Sequence, residues 1–500
     1  MGIKDYKASK DNTITNGFKL ISSTRGTGSN MGAADILEVY SIYGQNTTSS
    51  AELSRVLIQF PTTGITSDRA AGTIPASGSV NFFLRMFNAR HSEQLPKNFA
   101  VNVLAVSQSW QEGFGLDLDG YSDETDDKIE GSNWMNRNSN PKSSWAQPGG
   151  DYHSSSYVPN STMPNYTFTF VDGDEDLLVD VTSAVEEWIS GTQTNSGFGV
   201  FLTSGSEAYA TASSEPSVLT NIDGQKKSFY TKRFFSRSSE FFFKRPSLEA
   251  RWDSRIMDDR GNFYSSSSIA SAADNLNNLY LYNYIRGNLK DIPHSETLTV
   301  KLYASSNNAP VGAALASAVA NTSNTGIYKA QMAIDTTSSV LHDVWSGSVG
   351  GEYKTGSISI RNFNNTSVLL SNDFKQFTTK ITNLKSRYVS DETAKLRVFT
   401  RPRNFSPTIY SVANEEIQHV INPSASFEIF RSVDNETVIN NSTGSATKHT
   451  FLSYDNSGSY FDLNMSLLEP GYMYGIRFLF YSSDGWREQE ETFNFRVENS

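Results

Sequence analysis

The side chains best suited to chemistry in this 500-residue chain crowd into one stretch, WQEGFGLDLDGYSDETDDKIEGSNW, at positions 110–134. Its carboxylates lie between two tryptophans, in a chain that contains no cysteine. The aspartates are Asp117, Asp119, Asp123, Asp126 and Asp127, and the glutamates are Glu112, Glu124 and Glu130. Three interpretations fit such a run of carboxylates: an acidic active site, a calcium-binding loop, or a solvated connection between strands.

A calcium loop of the EF-hand type needs oxygen ligands at its first, third and fifth positions and glycine at its sixth. A loop that starts at Asp117 satisfies the first and third positions with Asp117 and Asp119. Its fifth and sixth residues are Tyr121 and Ser122, so the EF-hand template fails. Acidic loops also bind Ca²⁺ with irregular geometry, and an opportunistic Ca²⁺ site therefore stays open beside the solvated loop.

Glycoside hydrolysis needs two carboxylates on opposite sides of a sugar, one of them with a pKa raised by an apolar setting. The carboxylates of this stretch are crowded in a polar run, where nothing distinguishes one from another. Trp110, Tyr121 and Trp134 are able to stack on sugars, but aromatic residues in a strand-rich chain more often belong to the core. We assign no catalytic residue.

Other common sites leave no trace in the sequence. There is no nucleophile elbow, phosphate-binding glycine loop, zinc-protease helix or dinucleotide fingerprint. Without cysteine the chain can form no thiolate zinc site and no disulfide. The histidines lie scattered without paired spacing, at His91, His153, His294, His342, His419 and His449. We therefore expect no resident cofactor and assign no cofactor-binding or metal-binding residue.

The charge of the chain bears on its partners. The formal net charge of −11 repels the phosphates of nucleic acids and anionic lipid headgroups, so we expect neither nucleic acid nor membrane as a partner. One basic patch, KKSFYTKRFFSRSSEFFFKR at 226–245, interleaves aromatic and cationic residues in a way that suits RNA. We interpret most of it as a strand with its charges directed outward.

The N-terminal sequence MGIKDYKASKDNTITNGFKL lacks the apolar segment of a secretory signal. No later stretch approaches the ~20 apolar residues that cross a bilayer. We therefore expect the protein to be made in a cytoplasm and not exported by a cleaved signal.

The composition predicts a mainly β protein. Tyr, Phe and Trp number 23, 31 and 7, and Ser, Thr, Asn and Gly are abundant, which favours strands and polar turns. Residues 1–15 are polar and are expected to form an extended arm. Runs at 54–60 and 80–89 are typical of sandwich strands, and 112–165 is expected to be a long loop.

One short helix is predicted in DVTSAVEEWISG, residues 180–191. Ser183 and Glu186 have the spacing of a capping box, and Gly191 suits the end. The apolar positions follow the helical period and predict a buried face around Trp188. They are Val181, Ala184, Val185, Trp188 and Ile189.

Two smaller β domains are expected after residue 253. Runs that alternate with a period of two at 279–285, 296–305 and 353–362 predict a sandwich over 254–372. A further sandwich is expected over 373–500. There LEPGYMYGI has the spacing of a tyrosine corner around Tyr474, which indicates an immunoglobulin-like or fibronectin-like fold.

The first domain resembles a known family. LSRVLIQF, VSQSWQEGFG, SNWMN, SSWAQPGGDY, the helix segment, FFSRSS and RPSLEARW occur in the order of the DNRLRE-type β-sandwich domain, over about residues 16–253. The resemblance implies a mostly non-catalytic jelly roll, similar to carbohydrate-binding modules, in which the acidic stretch is a long loop between strands. A DNRLRE-like head followed by two small sandwiches also resembles virion proteins of tailed phages, particularly marine ones.

These resemblances lead to a functional expectation. The protein is expected to be a non-enzymatic structural or accessory protein on the head, neck or tail of a tailed-phage virion. It would assemble in the host cytoplasm with capsid, neck or tail proteins and with copies of itself. The alternative is an adhesin that binds host glycans through the loops of 110–165, with Trp110 and Trp145 as candidate contacts. A polysaccharide hydrolase or lyase has the least support.

Overall fold

The fold is described from a computed structural model of the chain. It describes residues 1–19, 24–45, 50–91, 96–116, 130–154, 163–211, 215–268, 270–292, 297–305, 312–347, 351–353, 355–361, 377–403, 409, 419–444, 447–482 and 485–500. Contacts divide the chain into two compact units, Ile3–Trp252 and Asp253–Ser500, the latter with Met1–Gly2. The protein is mainly β, as predicted.

The first unit contains β1 Ile3–Lys7, β2 Lys10–Thr15, β3 Ile36–Tyr43, β4 Ala51–Gln59, β5 Asn81–Met86, β6 Phe99–Ala105, β7 Asn136–Ser139, β8 Lys142–Ser144, β9 Tyr166–Phe170, β10 Leu177–Asp180, β11 Phe198–Leu202, β12 Phe229–Phe235 and β13 Ser247–Arg251. Its helices are α1 Thr62–Ala70 and α2 Thr182–Ser190, with a 3₁₀ turn at Phe242–Lys244. The small sheet has the order β1-β13-β5-β10. The large sheet has the order β12-β3-β4-β11-β6-β9, with β2 alongside β4.

The main core lies between these two sheets. Leu84 of β5 and Ile58 of β4 are both 0% exposed and belong to one apolar cluster. The large sheet is buried on its other face too, where Leu57, Leu104 and Phe201 join a second cluster. A sheet covered on both faces explains why every residue of β11, and every residue of β4 except Gln59, is buried, rather than every second one.

The N-terminal residues do not form the arm expected for 1–15. β1 pairs with β13, and β2 pairs with β4 over its whole length. The polar composition of 1–15 suggested an extended arm, but most polar side chains of β2 are buried and form hydrogen bonds with other groups of the unit. Asn12, for example, donates through Nδ2 to the Ser132 carbonyl at 2.9 Å.

Helix α2 confirms the predicted amphipathic face. Trp188 is buried, and its ring lies 4.7 Å from that of Phe198, centroid to centroid. Gly191 ends the helix with φ +76°. The capping box is wrong, because Ser183 makes no capping bond to the helix N-terminus and Asp180 Oδ1 instead accepts from the Thr182 N–H at 3.0 Å.

Helix α1 is an addition to the single helix predicted for this domain. It follows Pro61 and buries Ile65. Arg69 near its C-terminus donates to both carboxylate oxygens of Glu186 on α2, at 2.8 and 2.7 Å. The sequence did not predict α1 because its apolar residues show only a weak helical period. Packing and this ion pair stabilise a segment of modest helix propensity.

The second unit begins with a small sandwich around an apolar cluster that includes Trp345. Its strands are β14 Phe263–Tyr264, β15 Asn277–Tyr282, β16 Tyr284–Ile285, β17 Asn288–Leu289, β18 Thr299–Tyr303, β19 Ala316–Val319, β20 Asn321–Asn324, β21 Ile327–Met332, β22 Val340–Ser346, β23 Glu352–Tyr353 and β24 Ser357–Arg361. One sheet has the order β14-β24-β22-β18-β19, with β23 on β22, and another has the order β15-β21-β20. The boundary expected near 372 lies outside the described residues.

The remaining strands form the last sandwich. They are β25 Phe377–Ile381, β26 Arg387–Val389, β27 Thr393–Pro402, β28 Ala425–Arg431, β29 Glu436–Ile439, β30 Ser453–Asp455, β31 Gly458–Asn464, β32 Met473–Ser482, β33 Gly485–Glu488 and β34 Phe493–Glu498. The sheet orders are β25-β27-β31-β30 and β26-β34-β32-β28-β29, with β33 on β32. The tyrosine corner is confirmed, because the Tyr474 hydroxyl donates to the Glu469 carbonyl at 2.7 Å.

Candidate functional site

The acidic stretch is described at its two ends. Residues 117–129, which include every aspartate proposed for a calcium site, lie outside the described residues. The residues on either side, 112–116 and 130–132, form what we call the root of the acidic segment.

Asn30 fixes both ends of the root. Its Nδ2 donates to the Glu130 carbonyl at 2.8 Å, and its Oδ1 accepts from the Gly115 N–H at 2.9 Å. Gly113 and Gly131 approach so closely that a Cβ on Gly131 would lie 2.4 Å from the Gly113 Cα. Both glycines have positive φ, +89° and +122°, which other residues adopt at a cost. The root is therefore a pinned crossing of two backbone segments.

A charged cluster ties the root to the sandwich. Arg237 donates to both oxygens of Glu112 at 2.6 Å, and one of these oxygens also accepts from the Asp11 N–H at 2.8 Å. Asp11 Oδ2 accepts from the Arg237 N–H at 2.6 Å. Its Oδ1 has no hydrogen-bond partner among the described residues, and burial raises the pKa of Asp11 to about 7.

Two large apolar side chains project from the root. Phe114 is 76% exposed and Leu116 is 71% exposed, on either side of the pinned Gly115. Exposed apolar residues are common on protein surfaces when they occur singly. A pair held on a fixed backbone presents apolar area with little conformational freedom to lose, which lowers the entropic cost of a contact at this place.

The tryptophans flanking the acidic stretch are core residues. Trp110, Trp134 and Trp145 are 2%, 0% and 5% exposed. Each indole N–H has a backbone acceptor, the carbonyls of Ser196, Ser217 and Asn133 respectively. These rings cover the outer face of the large sheet, so none is available to stack on a sugar.

A buried arginine lies beneath these rings. Arg55 is 1% exposed and donates to Glu207 Oε1 at 3.1 Å. Its guanidinium also lies over the rings of Phe201 and Trp134, at 4.5 and 5.4 Å from the centroids. Burial raises the pKa of Glu207, and the Arg55 charge opposes that rise. This arrangement holds the covering loops on the sheet.

Two unlike carboxylates lie opposite each other on neighbouring strands of the small sheet. Burial and the charge of Glu249 raise the pKa of Asp5, whereas the pKa of Glu249 is lowered to about 2 against its burial. Arg85 and Arg251 each bind one oxygen of Glu249. A carboxylate held by two guanidinium groups is a weak base. The arrangement is a row of paired charges across neighbouring strands of the sheet.

The basic patch forms a strand over Phe229–Phe235, which is less of the patch than expected, and its charges do not all face outward. Lys232 of β12 is 1% exposed. Its Nζ donates to Asn88 Oδ1, the Gly173 carbonyl and the Glu175 carbonyl at 2.7, 2.9 and 2.6 Å. The inward lysine corrects the interpretation drawn from the sequence.

Among the described residues, no group of three or more His, Asp or Glu side chains has an arrangement that could hold a metal ion. No helix in the same part of the chain combines the length and apolar character required to traverse a bilayer.

Comparisons with known proteins give structural matches alone. No family model matches the chain, and no curated protein matches it. Solved structures similar to it include the adhesin InvE of Yersinia pseudotuberculosis, with 11% identity and a TM-score of 0.15 over 47% of this chain and 56% of that chain. Another is Drosophila OTK extracellular domains 3–5, with 8% identity and a TM-score of 0.13 over 47% and 61%.

A third is chicken CNTN1 FN1-FN3, with 11% identity and a TM-score of 0.14 over 59% of this chain and 88% of that chain. InvE and OTK are thus matched over less than two thirds of their own length. TM-scores this low carry no argument about topology or function, and the fold rests on the sheets described above. The DNRLRE and phage resemblances stay predictions.

Proposed function

We propose that this protein is a non-enzymatic structural or accessory component of a tailed-phage virion. It acts by packing against capsid, neck or tail proteins and against copies of itself. The observation that carries the proposal is the pair Phe114 and Leu116, exposed on the pinned root. Rigid apolar side chains beside an acidic segment suit a protein interface, where aromatic anchors contribute most of the affinity.

Repetition in a particle strengthens such a contact. A single small apolar patch gives weak binding, because association costs translational and rotational freedom. In a symmetric shell the same patch is presented many times, and linked contacts raise the overall affinity without any new interaction. The β-sandwiches serve as rigid supports for the contact surfaces.

The glycan-binding alternative is weakened at two of its candidate contacts, whereas Tyr121 lies outside the described residues. Trp110 and Trp145 were its candidate sugar contacts, and both are buried with their indole N–H groups occupied. No other observation favours it over protein packing. A glycan array remains a direct check, and specific binding there would argue for the adhesin.

The test is incorporation into particles. Virions of a phage that encodes the protein are purified on a density gradient, and the protein is quantified by mass spectrometry. We expect the wild type in the virions and the variant Phe114→Ser/Leu116→Ser at least tenfold depleted, with an unchanged melting temperature. Ile222→Ser, at a residue that is 69% exposed on the same unit, is the control and should be incorporated normally. Absence of the wild-type protein from virions would overturn the proposal.

A further inference from the structure

The surroundings of Lys232 are those of a reactive amine rather than of an ordinary surface lysine. Its Nζ lies 4.4 Å from the ring centroid of Phe170 and 5.4 Å from that of Phe234. Burial lowers the pKa of the ammonium to about 8, although Asp176, Glu175 and Asp174 oppose the shift. A lysine in such a setting carries an appreciable fraction of neutral amine near neutral pH, which is the nucleophilic form.

The side-chain amide of Asn88 lies directly against this amine. Lys232 Nζ is 2.7 Å from Asn88 Oδ1. Because a C=O bond is about 1.23 Å long, the carbonyl carbon lies no more than about 3.9 Å from the nitrogen. Reacting atoms in near-attack geometry are about 3 to 3.5 Å apart, so a small rotation of the amide completes the approach.

Strand pairing holds the two side chains in place. Residue 88 lies opposite Phe234 in an antiparallel bridge, and the flanking hydrogen bonds join Ala89 to Arg233 and Phe235 to Phe87. Lys232 is two residues from Phe234 on the same strand. It therefore lies on the same face as Phe234 and diagonal to Asn88. Backbone order on both sides limits other conformations of the pair.

We propose that Lys232 and Asn88 join through an intramolecular amide bond between Lys232 Nζ and Asn88 Cγ. The neutral amine attacks the carbonyl carbon, and the new C–N bond forms. The bond from Cγ to Nδ2 breaks, Nδ2 takes up the proton lost by Nζ, and ammonia leaves. Nothing is oxidised or reduced, and the balance is amine plus carboxamide to secondary amide plus ammonia.

A carboxylate lies next to the residue that carries the reacting amide. Asp176 Oδ1 accepts from the backbone N–H of Asn88 at 2.8 Å. It is also the charged neighbour with the largest effect on the pKa of Lys232. A carboxylate in this place can carry the proton from Nζ to the departing nitrogen.

The bond would supply the cross-link that a cysteine-free chain cannot make with disulfides. Asn88 follows β5 of the small sheet, whereas Lys232 lies on β12 of the large sheet. The bond therefore ties the two sheets covalently and closes a loop of 144 positions. Closing a long loop restricts the unfolded chain, and an amide does so independently of the redox state of its surroundings.

The first test is the mass of the folded wild-type protein. The purified full chain is measured by intact mass spectrometry and then digested with trypsin. We expect a mass lower than that of the sequence by one ammonia, and a branched peptide that joins MFNAR (86–90) to SFYTKR (228–233). The full sequence mass, with both peptides recovered unlinked, would overturn the proposal and leave Lys232 as a buried ammonium.

Variants separate this reaction from other losses of ammonia. Asn88→Ala and Lys232→Met should both restore the full sequence mass of the variant. Asn88→Asp should still form the bond, with loss of water in place of ammonia, and give the same cross-linked mass as the wild type. Lys97→Met is the control, since Lys97 is exposed and pairs with Asp172, and this variant should leave the ammonia loss intact. Retention of the loss in Asn88→Ala would show that another residue is its source.

Discussion

Arg55 and Glu207 form an ion pair on the covered face of the large sheet, 3.1 Å apart and almost completely shielded from water. The aromatic rings around Arg55 exclude solvent, so neither charge has an alternative partner in water. Such a pair adds little net stability over a well-packed apolar pair, but the loss of one partner is severe because the other charge stays buried. It is therefore a sensitive probe of how the loops cover the sheet.

Glu207→Gln should destabilise the first unit by about 3 to 5 kcal/mol, because it removes the negative charge that faces the buried Arg55 guanidinium. Denaturant unfolding of the purified chain measures the change. Asp172→Asn, which breaks an ion pair whose two side chains are 67% and 66% exposed, should cost no more than about 1 kcal/mol. The double variant Arg55→Met/Glu207→Leu should recover most of the loss. Equal effects of the two single variants would contradict the buried pairing.

Trp188→Ala should lower the free energy of unfolding by about 3 to 5 kcal/mol, since it removes a buried ring packed on Phe198. A thermal or denaturant melt followed by circular dichroism gives the value. Leu178→Ala, at an edge-strand residue that is 39% exposed, is the control and should have a much smaller effect. An unshifted melt for Trp188→Ala would mean that α2 does not pack on the sandwich in solution.

Periodic patterns in the sequence predicted the elements that bury a single, regularly spaced set of residues. The spacing of apolar residues around Trp188 identified α2, and the spacing around Tyr474 identified the tyrosine corner. Both depend on local geometry, which a short sequence window contains. Helix α1 was missed because Ile65 and the Arg69–Glu186 ion pair stabilise it through tertiary contacts.

The candidate site was less predictable, because it depends on contacts between distant segments. The pinning of Gly115 by Asn30 joins residues 85 positions apart, and no sequence window contains both. The burial of Lys232, which was not predicted, could have been inferred from the sequence. Adjacent strand residues point to opposite faces, so Lys232 and Arg233 could not both face solvent if β12 lay on a sandwich. One of the two had to be buried.

Tyr474→Phe tests the tyrosine corner of the last sandwich. The variant keeps the ring but leaves the Glu469 carbonyl without its donor, which should cost about 1 to 3 kcal/mol. Tyr481→Phe is the matched control, because Tyr481 lies on the same strand and is 47% exposed. Denaturant unfolding of both variants should show a loss for Tyr474→Phe alone. Comparable losses would assign the effect to the removal of any hydroxyl from β32.

Asp11 should make stability depend on pH. In the folded chain its pKa is about 7 rather than the ordinary 3.8, because burial and Glu112 disfavour the charge while Arg237 favours it. Below about pH 4 both folded and unfolded chains carry the proton, and the folded state bears no penalty. Between about pH 4 and 7 the unfolded chain has released the proton that the folded chain retains, so the free energy of unfolding falls as pH rises.

Asp11→Asn should remove that fall. At pH 8 the variant should be more stable than the wild type by a few kcal/mol, since one pKa unit corresponds to about 1.4 kcal/mol. At pH 4 the two proteins should be nearly equal. Urea unfolding at several pH values between these limits measures the difference, with Asp172→Asn as an exposed control that should track the wild type. A constant difference between Asp11→Asn and wild type at all pH values would mean that Asp11 does not titrate in this range, and that the root of the acidic segment is more open to water than its geometry indicates.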